Sequence, residues 1–431
     1  GATSLVGRLV EPLGLLVLCL VLAVSPFVST TTVGILLVAG LGAWVLLVLK
    51  PRSCPAVALP VLTFWLAGSV SLASSQWFTT SLDGWIKLTL YVAGFALGAH
   101  LLQRAAYRTA AIAMYLLVSL PVSGYGLWQW VYGAQALATW VDQDSTLAET
   151  TRVYSFLGNP NLLAGYLLPA IPLSIAGCLV WQSWGAKLVS ALAGLAALLC
   201  VVLTFSRGGW IALAVMALVL GVLLVQWIAD RLPMKVRRLL LPSLFAGAGL
   251  GLGLLFWRVP VLGDRIGSIF AWRDDSSNNF RINVWTSVLD MIRDFPLTGI
   301  GPGNQTFEAA YPFYQEPKFD ALGAYSVPLE ITVEMGMLGA LCFAWLVLVL
   351  LVQGFATWNA QRLTEPSTAL WSAAATVAVI GLLAHGLVDT VWFRPPIQVL
   401  WWLLCAVIAA ESIRAGHQDQ EAPLGKLEAT D

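Results

Sequence analysis

Long apolar runs separated by short polar connections make up most of the chain. Twelve of these runs approach or exceed the roughly 20 residues that an α-helix needs to cross the hydrocarbon core of a membrane. They cover residues 10–28, 31–49, 55–73, 85–103, 109–131, 160–180, 187–204, 209–229, 239–257, 327–353, 369–388 and 396–412. The pattern predicts an all-α polytopic membrane protein with about 12 transmembrane helices, because a membrane β-barrel would show shorter segments of alternating hydrophobicity.

One long stretch, residues 258–326, interrupts this pattern with polar and charged residues. Pro296 is expected to end a first helix in it, and a second short helix is predicted from Asn304 to about Tyr314. The chain then divides into nine transmembrane helices in residues 1–257, the helical loop at 258–326, three transmembrane helices in 327–412 and a polar tail at 413–431. Apolar residues at a spacing of three or four predict the first helix as amphipathic: Ile282, Trp285, Val288, Leu289 and Ile292.

The composition agrees with insertion into a membrane. The chain is 58% hydrophobic and 11% charged, whereas soluble domains carry about 25% charged residues. Its net charge is zero, so nothing indicates a nucleic-acid partner, and the lipid bilayer is the expected one. None of the six cysteines has the CxxC spacing typical of metal or redox sites, and we predict neither a metal nor a cofactor.

The distribution of Lys and Arg predicts the orientation, because cytoplasmic loops of membrane proteins carry an excess of both. With the N-terminus inside, the inner loops hold ten such residues and the outer short loops three. We therefore predict that both termini lie inside and that residues 258–326 lie outside. The same topology places His385 and Asp389 near the outer end of a helix, one turn apart. They form either a proton-handling pair or a contact between helices.

Two arginines are candidates for binding an anion. Arg207 ends an apolar run and precedes two glycines, and a guanidinium there is costly unless it faces water, a partner or an anion. Arg281 is expected in the first turn of the amphipathic helix, near the face that carries Trp285, where backbone N–H groups also favour an anion. The alternatives are that Arg207 reaches to the membrane interface and that Arg281 pairs with an aspartate at 274 or 275.

Two turns have both a functional and a structural interpretation. The turn at residues 299–304 contains Gly301 and Gly303. It is either a backbone cradle for phosphate or a tight connector between two helices. In the turn that precedes the helix at 160–180, Asn161 is expected to cap the helix and Asn159 to face a cavity, although capping alone explains most of this turn.

Several of these motifs together resemble the O-antigen ligase and polymerase superfamily of bacterial membrane glycosyltransferases. The resemblance covers roughly residues 150–400. The residues that carry it are Thr204-Phe205-Ser206-Arg207-Gly208-Gly209-Trp210, Arg281-Ile282-Asn283-Val284-Trp285, the run from Phe295 to Asn304, and the helix with Leu329, Glu334, Gly336 and Leu338-Gly339.

The resemblance implies metal-independent glycan transfer on the outer face of a bacterial inner membrane. The donor would be a glycan linked to a polyprenyl diphosphate. Arg207 and Arg281 match positions where the family is expected to clamp the diphosphate, and the physics agrees because a leaving diphosphate needs its charge neutralised. Four further residues are expected to support the site: Asn159, Trp285, Gly301 and Gly303.

The chain departs from the ligase pattern at the end of the long loop. The family places His-Asn there, where this chain has Tyr325-Ser326. A tyrosine titrates near pH 10 and is a poor base at neutral pH. The remaining candidates for a catalytic group are His385, Asp389, Glu330 and Tyr325 itself.

The run from Ala324 to Glu330, together with the many tryptophans, is most similar to the cyanobacterial IctB-type subgroup. The name of that subgroup implies a role in bicarbonate transport or inorganic carbon accumulation. Three hypotheses follow: an IctB-type protein concerned with bicarbonate, a glycosyltransferase that uses a polyprenyl-diphosphate-linked glycan, and a protein that binds the lipid diphosphate without turnover.

Overall fold

The computed structural model describes residues 5–48, 55–134, 152–230, 276–389 and 391–421, together with scattered residues between 232 and 247. The described residues form helices and no strand, which confirms the all-α membrane fold. Two 3₁₀ turns, Ser155–Leu157 and Tyr311–Phe313, accompany the helices. In chain order the helices are α1 Leu5–Val24, α2 Thr30–Val48, α3 Ala58–Ser74, α4 Phe78–Leu101, α5 Ala105–Tyr132, α6 Pro160–Leu167, α7 Ala170–Val180, α8 Trp184–Leu203, α9 Arg207–Ala229, α10 Ser276–Asp294, α11 Asn304–Ala310, α12 Val327–Gln361, α13 Pro366–Gly386 and α14 Pro395–Glu421.

Most of the predicted membrane spans have a helix in the structure. Eight helical segments among the described residues are long and apolar enough to cross a membrane, and α1 and α3 contribute shorter apolar helices. Eleven of the twelve predicted runs coincide with helices, with α6 and α7 sharing the run at 160–180. The remaining run, at 239–257, lies mostly outside the described residues.

Helices α13 and α14 form the centre of the bundle. Their membrane-spanning windows are 83% and 94% buried, against 22% for α2 at the periphery. Helix α13 packs against α7, α9, α12 and α14, and α14 also packs against α4. Small residues allow the close approach that helix association in membranes favours; Gly354 of α12, for example, faces Thr376 of α13. Groups at the ends of α13 and α14 are therefore enclosed by other helices.

Helix α12 is broken at Gly336, whose φ of 64° and ψ of −169° are accessible mainly to glycine. The loop that precedes α11 enters the break and supplies the missing backbone partners. Before the break, Gly301 N donates a hydrogen bond of 2.9 Å to Glu334 O. After it, Met337 N donates one of 2.9 Å to Pro296 O. The break thus couples the long loop to a membrane helix.

Helices α10 and α11 confirm the two helices predicted within the long polar stretch, of which residues 258–275 lie outside the described part. We call the end of the bundle that carries residues 276–326 the loop side. The predicted apolar face of α10 was wrong at Leu289, which is 45% exposed. The helix turns Val288 inward, as predicted, together with Val284 and Met291, because it packs on a small core formed mainly by the loop.

The end of the bundle opposite the loop side is held by ion pairs. Arg108 of α5 pairs with Glu411 of α14, and both side chains are buried. Arg362 Nε lies 2.7 Å from Asp230 Oδ2 and joins the ends of α12 and α9. Charges at such depth persist in proteins when they are paired, so these contacts tie the helices together far from the loop side.

Candidate functional site

Three elements from distant parts of the sequence bring polar side chains together on the loop side. Arg281 of α10 donates from Nη2 to Asp389 Oδ2 at 3.1 Å, and Asn161 of α6 donates from Nδ2 to the same oxygen at 2.5 Å. Arg281 Nη1 also donates to Ser277 Oγ at 2.6 Å. The alternative partners of Arg281 at 274–275 lie outside the described residues. Asp389 is 5% exposed, so the carboxylate that binds this guanidinium is buried.

Two further arginines lie close to this pair. Arg152 donates from Nε to a backbone carbonyl of the turn between α8 and α9 at 3.0 Å, and from Nη2 to Asn161 Oδ1 at 3.4 Å. Burial lowers the pKa of Arg152 to about 10; Asp389 raises that pKa, and Arg207 and Arg281 lower it further. The four charged groups are therefore within electrostatic reach of one another, and Arg152 stays protonated at neutral pH. We call Arg152, Arg207 and Arg281 the arginine cluster.

Arg207 occupies the first position of α9, as its place at the end of an apolar run suggested. Ser206 caps this helix, its Oγ accepting from Gly209 N at 3.1 Å. The guanidinium-bearing residue is 9% exposed, so it is enclosed at the helix start and does not lie on the open surface. The positive end of the helix dipole adds to its charge.

The two asparagines take the opposite roles from those predicted. Asn159 is the N-cap of α6, and its side chain accepts from Asn161 N at 2.8 Å. Pro160 follows at the first helical position and has no N–H. The first amide available for capping is therefore that of Asn161, and the preceding Asn159 side chain accepts its hydrogen bond. This leaves the Asn161 side chain to bind Asp389 and Arg152.

His385 is fully buried in the last turn of α13, between two glycines of neighbouring helices. A side chain at Gly208 would come within 2.6 Å of its Cδ2, and one at Gly165 within 3.3 Å of its Nδ1. Its Nε2 lies 3.5 Å from Ser206 Oγ, and its Nδ1 has no hydrogen-bond partner among the described residues. His385 therefore packs the junction of α6, α9 and α13 beside the arginine cluster.

The prediction that His385 and Asp389 lie one turn apart on the same helix was wrong. Helix α13 ends at Gly386, and Asp389 lies in the turn that follows. No hydrogen bond joins the two side chains in the part of the chain that the structure describes. Asp389 is instead directed at the polar groups of α6 and α10, because the end of the helix frees the chain to turn toward them.

Tyr325 ends the long loop next to these groups, on strained backbone with φ of 51°. Its ring meets Phe280 of α10 edge-on at 5.3 Å. Trp285, a predicted supporting residue, donates from Nε1 to Ala324 O at 3.0 Å. Trp285 therefore fixes the backbone that presents Tyr325. Helix α10 spans Ser276–Asp294, so Arg281 lies in its second turn. The prediction that Arg281 lies in the first turn was wrong.

The surroundings of Tyr325 keep its hydroxyl protonated. Burial and the charge of Asp389 raise the pKa of Tyr325 to about 12; Glu330 raises it further, while Arg281 lowers it. The group is thus an uncharged phenol at neutral pH. Its neighbour Glu330 is 3% exposed and lies one turn into α12. The residues predicted as catalytic candidates are therefore near one another, in different environments.

The amides of Gly301 and Gly303 are occupied by the protein itself. Gly301 N binds Glu334 O, and Gly303 N donates to Glu334 Oε2 at 2.9 Å. Both glycines have positive φ, 123° and 102°, and Gly84 of α4 packs against Gly303 so closely that no Cβ fits. The turn at 299–304 acts as the tight connector that the sequence left as the alternative to a phosphate cradle.

Sequence reasoning missed Arg152 and the site role of Asn161. The available signal was the position of Arg152 in an outer connection, a few residues before the asparagine turn. The structure brings Arg207, Arg281, Asp389, His385, Tyr325 and Glu330 to one region, and places Asn159, Trp285, Gly301 and Gly303 around it as elements that shape the backbone.

Comparison with known proteins gives one family. Residues 192–344 match the model of the O-antigen ligase family. This segment contains Arg207, Arg281, Tyr325 and Glu330, whereas Arg152 and the α13 end lie outside it. No curated protein matches the chain significantly. Over the segment that holds two of its three clustered arginines, this multi-pass membrane protein is similar to the O-antigen ligases.

Proposed function

We propose that the chain is a membrane glycosyltransferase of the O-antigen ligase type, which binds a glycan linked to a polyprenyl diphosphate and transfers the glycan to a hydroxyl acceptor. The observation that carries this proposal is the convergence of Arg152, Arg207 and Arg281 around Asp389. The three guanidinium groups lie within electrostatic reach of this carboxylate and supply the positive charge that an anionic ligand needs. Planar guanidinium groups bind phosphate oxygens in pairs, which suits a diphosphate.

The chemistry needs charge stabilisation more than it needs a cofactor. The bond between the sugar anomeric carbon and the diphosphate oxygen breaks, and a bond from the acceptor oxygen to that carbon forms. The electron pair of the broken bond stays on the diphosphate, whose added charge the arginine cluster neutralises. The proton of the acceptor hydroxyl passes to a base on the protein.

We assign Glu330 as that base. Tyr325 is an uncharged phenol at neutral pH, because burial raises its pKa to about 12, and Asp389 is engaged by Asn161 and Arg281. His385 is packed between helices with no exposed surface. Glu330, in contrast, lines a large cleft on the loop side while remaining close enough to Tyr325 to influence it.

The test measures ligand binding and transfer in parallel. We expect Arg281→Ala, Arg152→Ala and Arg207→Ala each to weaken binding of polyprenyl diphosphate by roughly ten- to a hundredfold, since a charge-assisted hydrogen bond contributes about 1.5–3 kcal/mol, and to lower transfer in parallel. Native mass spectrometry of the purified protein measures the binding. Transfer is followed in cells whose own copy is deleted.

Arg293→Ala is the matched control, because Arg293 lies on the same helix as Arg281 but is 76% exposed and pairs with Asp290 at 2.6 Å. It should leave binding and transfer unchanged. Wild-type affinity in all three cluster variants would refute the diphosphate site. Retained lipid binding with no transfer by the wild-type protein would favour a binding protein without turnover.

A second candidate is an IctB-type role in bicarbonate transport or accumulation. Two observations favour it: Tyr325 replaces the expected loop base, and a cluster of arginines holds small oxyanions as well as diphosphates. Uptake of labelled bicarbonate into proteoliposomes, lost in Arg281→Ala, would favour this candidate over glycan transfer. In either case we expect the loop side to face outward, with both chain termini inside, in a bacterial inner membrane.

A further inference from the structure

The imidazole of His385 fills a space that two glycines of neighbouring helices leave open. His385 lies in the last turn of α13 and has no exposed surface. A Cβ added at Gly208 of α9 would lie 2.6 Å from its Cδ2, and one added at Gly165 of α6 would lie 3.3 Å from its Nδ1. Helices α6, α9 and α13 therefore meet on this one side chain.

Each of these three helices leads to a group of the candidate site. Arg207 is the first residue of α9. Asn161, which donates to Asp389, lies on α6 one turn before Gly165. Asp389, which binds Arg281, follows the end of α13. A side chain packed between all three helices therefore lies where their mutual placement decides the geometry of the site.

The turn between α8 and α9 is the polar neighbour of the imidazole. Nε2 of His385 lies 3.5 Å from Ser206 Oγ, and this hydroxyl caps α9 by accepting from Gly209 N at 3.1 Å. In the same turn Thr204 O accepts from Arg152 Nε at 3.0 Å. The imidazole thus contacts the turn that holds one arginine through its backbone and bears a second at its end.

This turn has strained backbone. Phe205 has φ of 51°, in the left-handed region that a bulky residue rarely adopts. Such a conformation persists when the surrounding contacts over-determine it. Within the turn, Thr204 Oγ1 accepts from Ser206 N at 3.2 Å. His385 adds a contact from a different helix, which ties the strained turn to α13.

A histidine suits this position because two edges of its ring differ. The Cδ2 edge packs on the glycine of α9, whereas Nε2 faces the serine hydroxyl. Phenylalanine would fill the same volume without the nitrogen. The amide of glutamine would take the place of Nε2, and the shorter amide of asparagine would take the place of Nδ1. These substitutions separate the packing of the ring from its polar contact.

We propose that His385 is a positioning residue, which fixes the start of α9 through Ser206 and so places Arg207 and Arg152 for an anionic ligand. A diphosphate as that ligand rests on the proposed function, whereas the tie between α13 and the turn does not. His385 takes no part in proton transfer to or from substrate, because it has no exposed surface.

The first test measures retention of polyprenyl diphosphate by the purified protein in nanodiscs. His385→Phe should weaken retention about three- to tenfold, the loss expected for one neutral hydrogen bond, and His385→Gln should retain most of the wild-type affinity. Ser206→Ala should weaken retention at least as much. Adding His385→Phe to Ser206→Ala should cause no further loss, because residues that act as a unit are not additive.

The second test needs no ligand. In the protein without added lipid diphosphate, hydrogen exchange at residues 207–210 should be about three- to tenfold faster in His385→Phe than in the wild-type protein. It should stay close to wild type in His385→Gln. Thermal unfolding checks that each variant is folded, and His385→Asn replaces His385→Phe if the latter does not fold.

His100→Phe is the matched control for both tests. His100 also lies in the last turn of a helix, α4, but α4 leads directly into the first turn of α5, where Arg108 marks the opposite end of the bundle. The substitution should leave retention and exchange at residues 207–210 unchanged.

Three outcomes would overturn the proposal. They are unchanged exchange at residues 207–210 in His385→Phe, equal losses in His385→Phe and His385→Gln, and additive losses in the double variant. Each would mean that the ring only fills space. If exchange changes as expected but the wild-type protein retains no polyprenyl diphosphate, the positioning contact stands and the proposed diphosphate site fails.

Discussion

Tyr325 illustrates how the meaning of a residue depends on its surroundings. It stands where the resembling family is expected to have a histidine, on backbone with φ of 51°, and its pKa is raised to about 12, first by burial and then by Asp389. A raised pKa favours the protonated side chain in the folded protein. The resulting stabilisation is complete below pH 10 and is lost as the pH rises toward 12, so Tyr325 does not titrate between pH 6 and 9.

We therefore expect Tyr325→Phe to keep the shape of the pH profile of glycan transfer between pH 6 and 9, with a loss in rate of less than about tenfold. Glu330→Gln should lower the rate by roughly a hundredfold or more, because general base catalysis typically contributes 10²–10⁴-fold. Transfer rates of both variants, measured with excess donor and acceptor across this pH range, show which of the two residues acts as the base. A larger loss in Tyr325→Phe than in Glu330→Gln would reverse the two assignments.

A site residue could be predicted from the sequence where its position carries an evident free-energy cost. Arg207 was found because a guanidinium at the end of an apolar run demands an explanation. Arg152 was not, because its partners belong to α6 and to the turn before α9, and no local pattern reports them. The exchange of roles between Asn159 and Asn161 was predictable in principle, since Pro160 lacks the amide that a cap would otherwise bind.

Among the elements, the helices followed from hydrophobic runs and their periodicity, but the break in α12 did not. The run at 327–353 reads as one continuous span, and Gly336 is one of two glycines in it. Its conformation depends on the loop before α11, whose backbone lies so close to Gly336 that a Cβ would collide with it. A contact between segments some forty residues apart does not change the local hydrophobic periodicity from which helices are predicted.

We expect Gly336→Ala to destabilise the protein by about 1 kcal/mol or more, because alanine is disfavoured at positive φ and its Cβ meets the backbone of Leu297. The damage should spread to the connector, whose amides at Gly301 and Gly303 depend on the residue two positions before the break. Hydrogen exchange of residues 299–303, together with thermal unfolding, measures both effects.

Gly124→Ala is the appropriate comparison, since it lies inside α5 and its added Cβ meets no atom within 4 Å. It should leave exchange in the connector unchanged. Equal exchange rates in Gly336→Ala and the wild-type protein would mean that the connector is held without the break.

At the scale of the whole molecule, the two ends of the helix bundle differ in the groups they carry and in their proposed roles. The loop side collects the arginine cluster, Glu330 and the cleft, with several groups held on strained or broken backbone. The opposite end has buried ion pairs between helices and no part in the proposed chemistry. The family match covers residues 192–344 and thus most of the loop side, while the pair that joins α5 to α14 lies outside it.

This division predicts that the ion pair between Arg108 and Glu411 serves stability alone. Arg108→Leu leaves the buried Glu411 with Arg414, at 4.0 Å, as a more distant cation, and should cost roughly 3–5 kcal/mol, because removing one partner strands a buried charge. The double variant Arg108→Leu/Glu411→Leu should recover much of that loss, since no unpaired carboxylate remains at 0% exposure. Thermal unfolding of all three proteins in one detergent gives the stabilities.

The folded fraction of each variant should bind polyprenyl diphosphate with wild-type affinity, because Arg108 lies at the far end of the bundle from Arg281. Weaker binding in the stable double variant would show instead that the two ends are coupled through the helices between them.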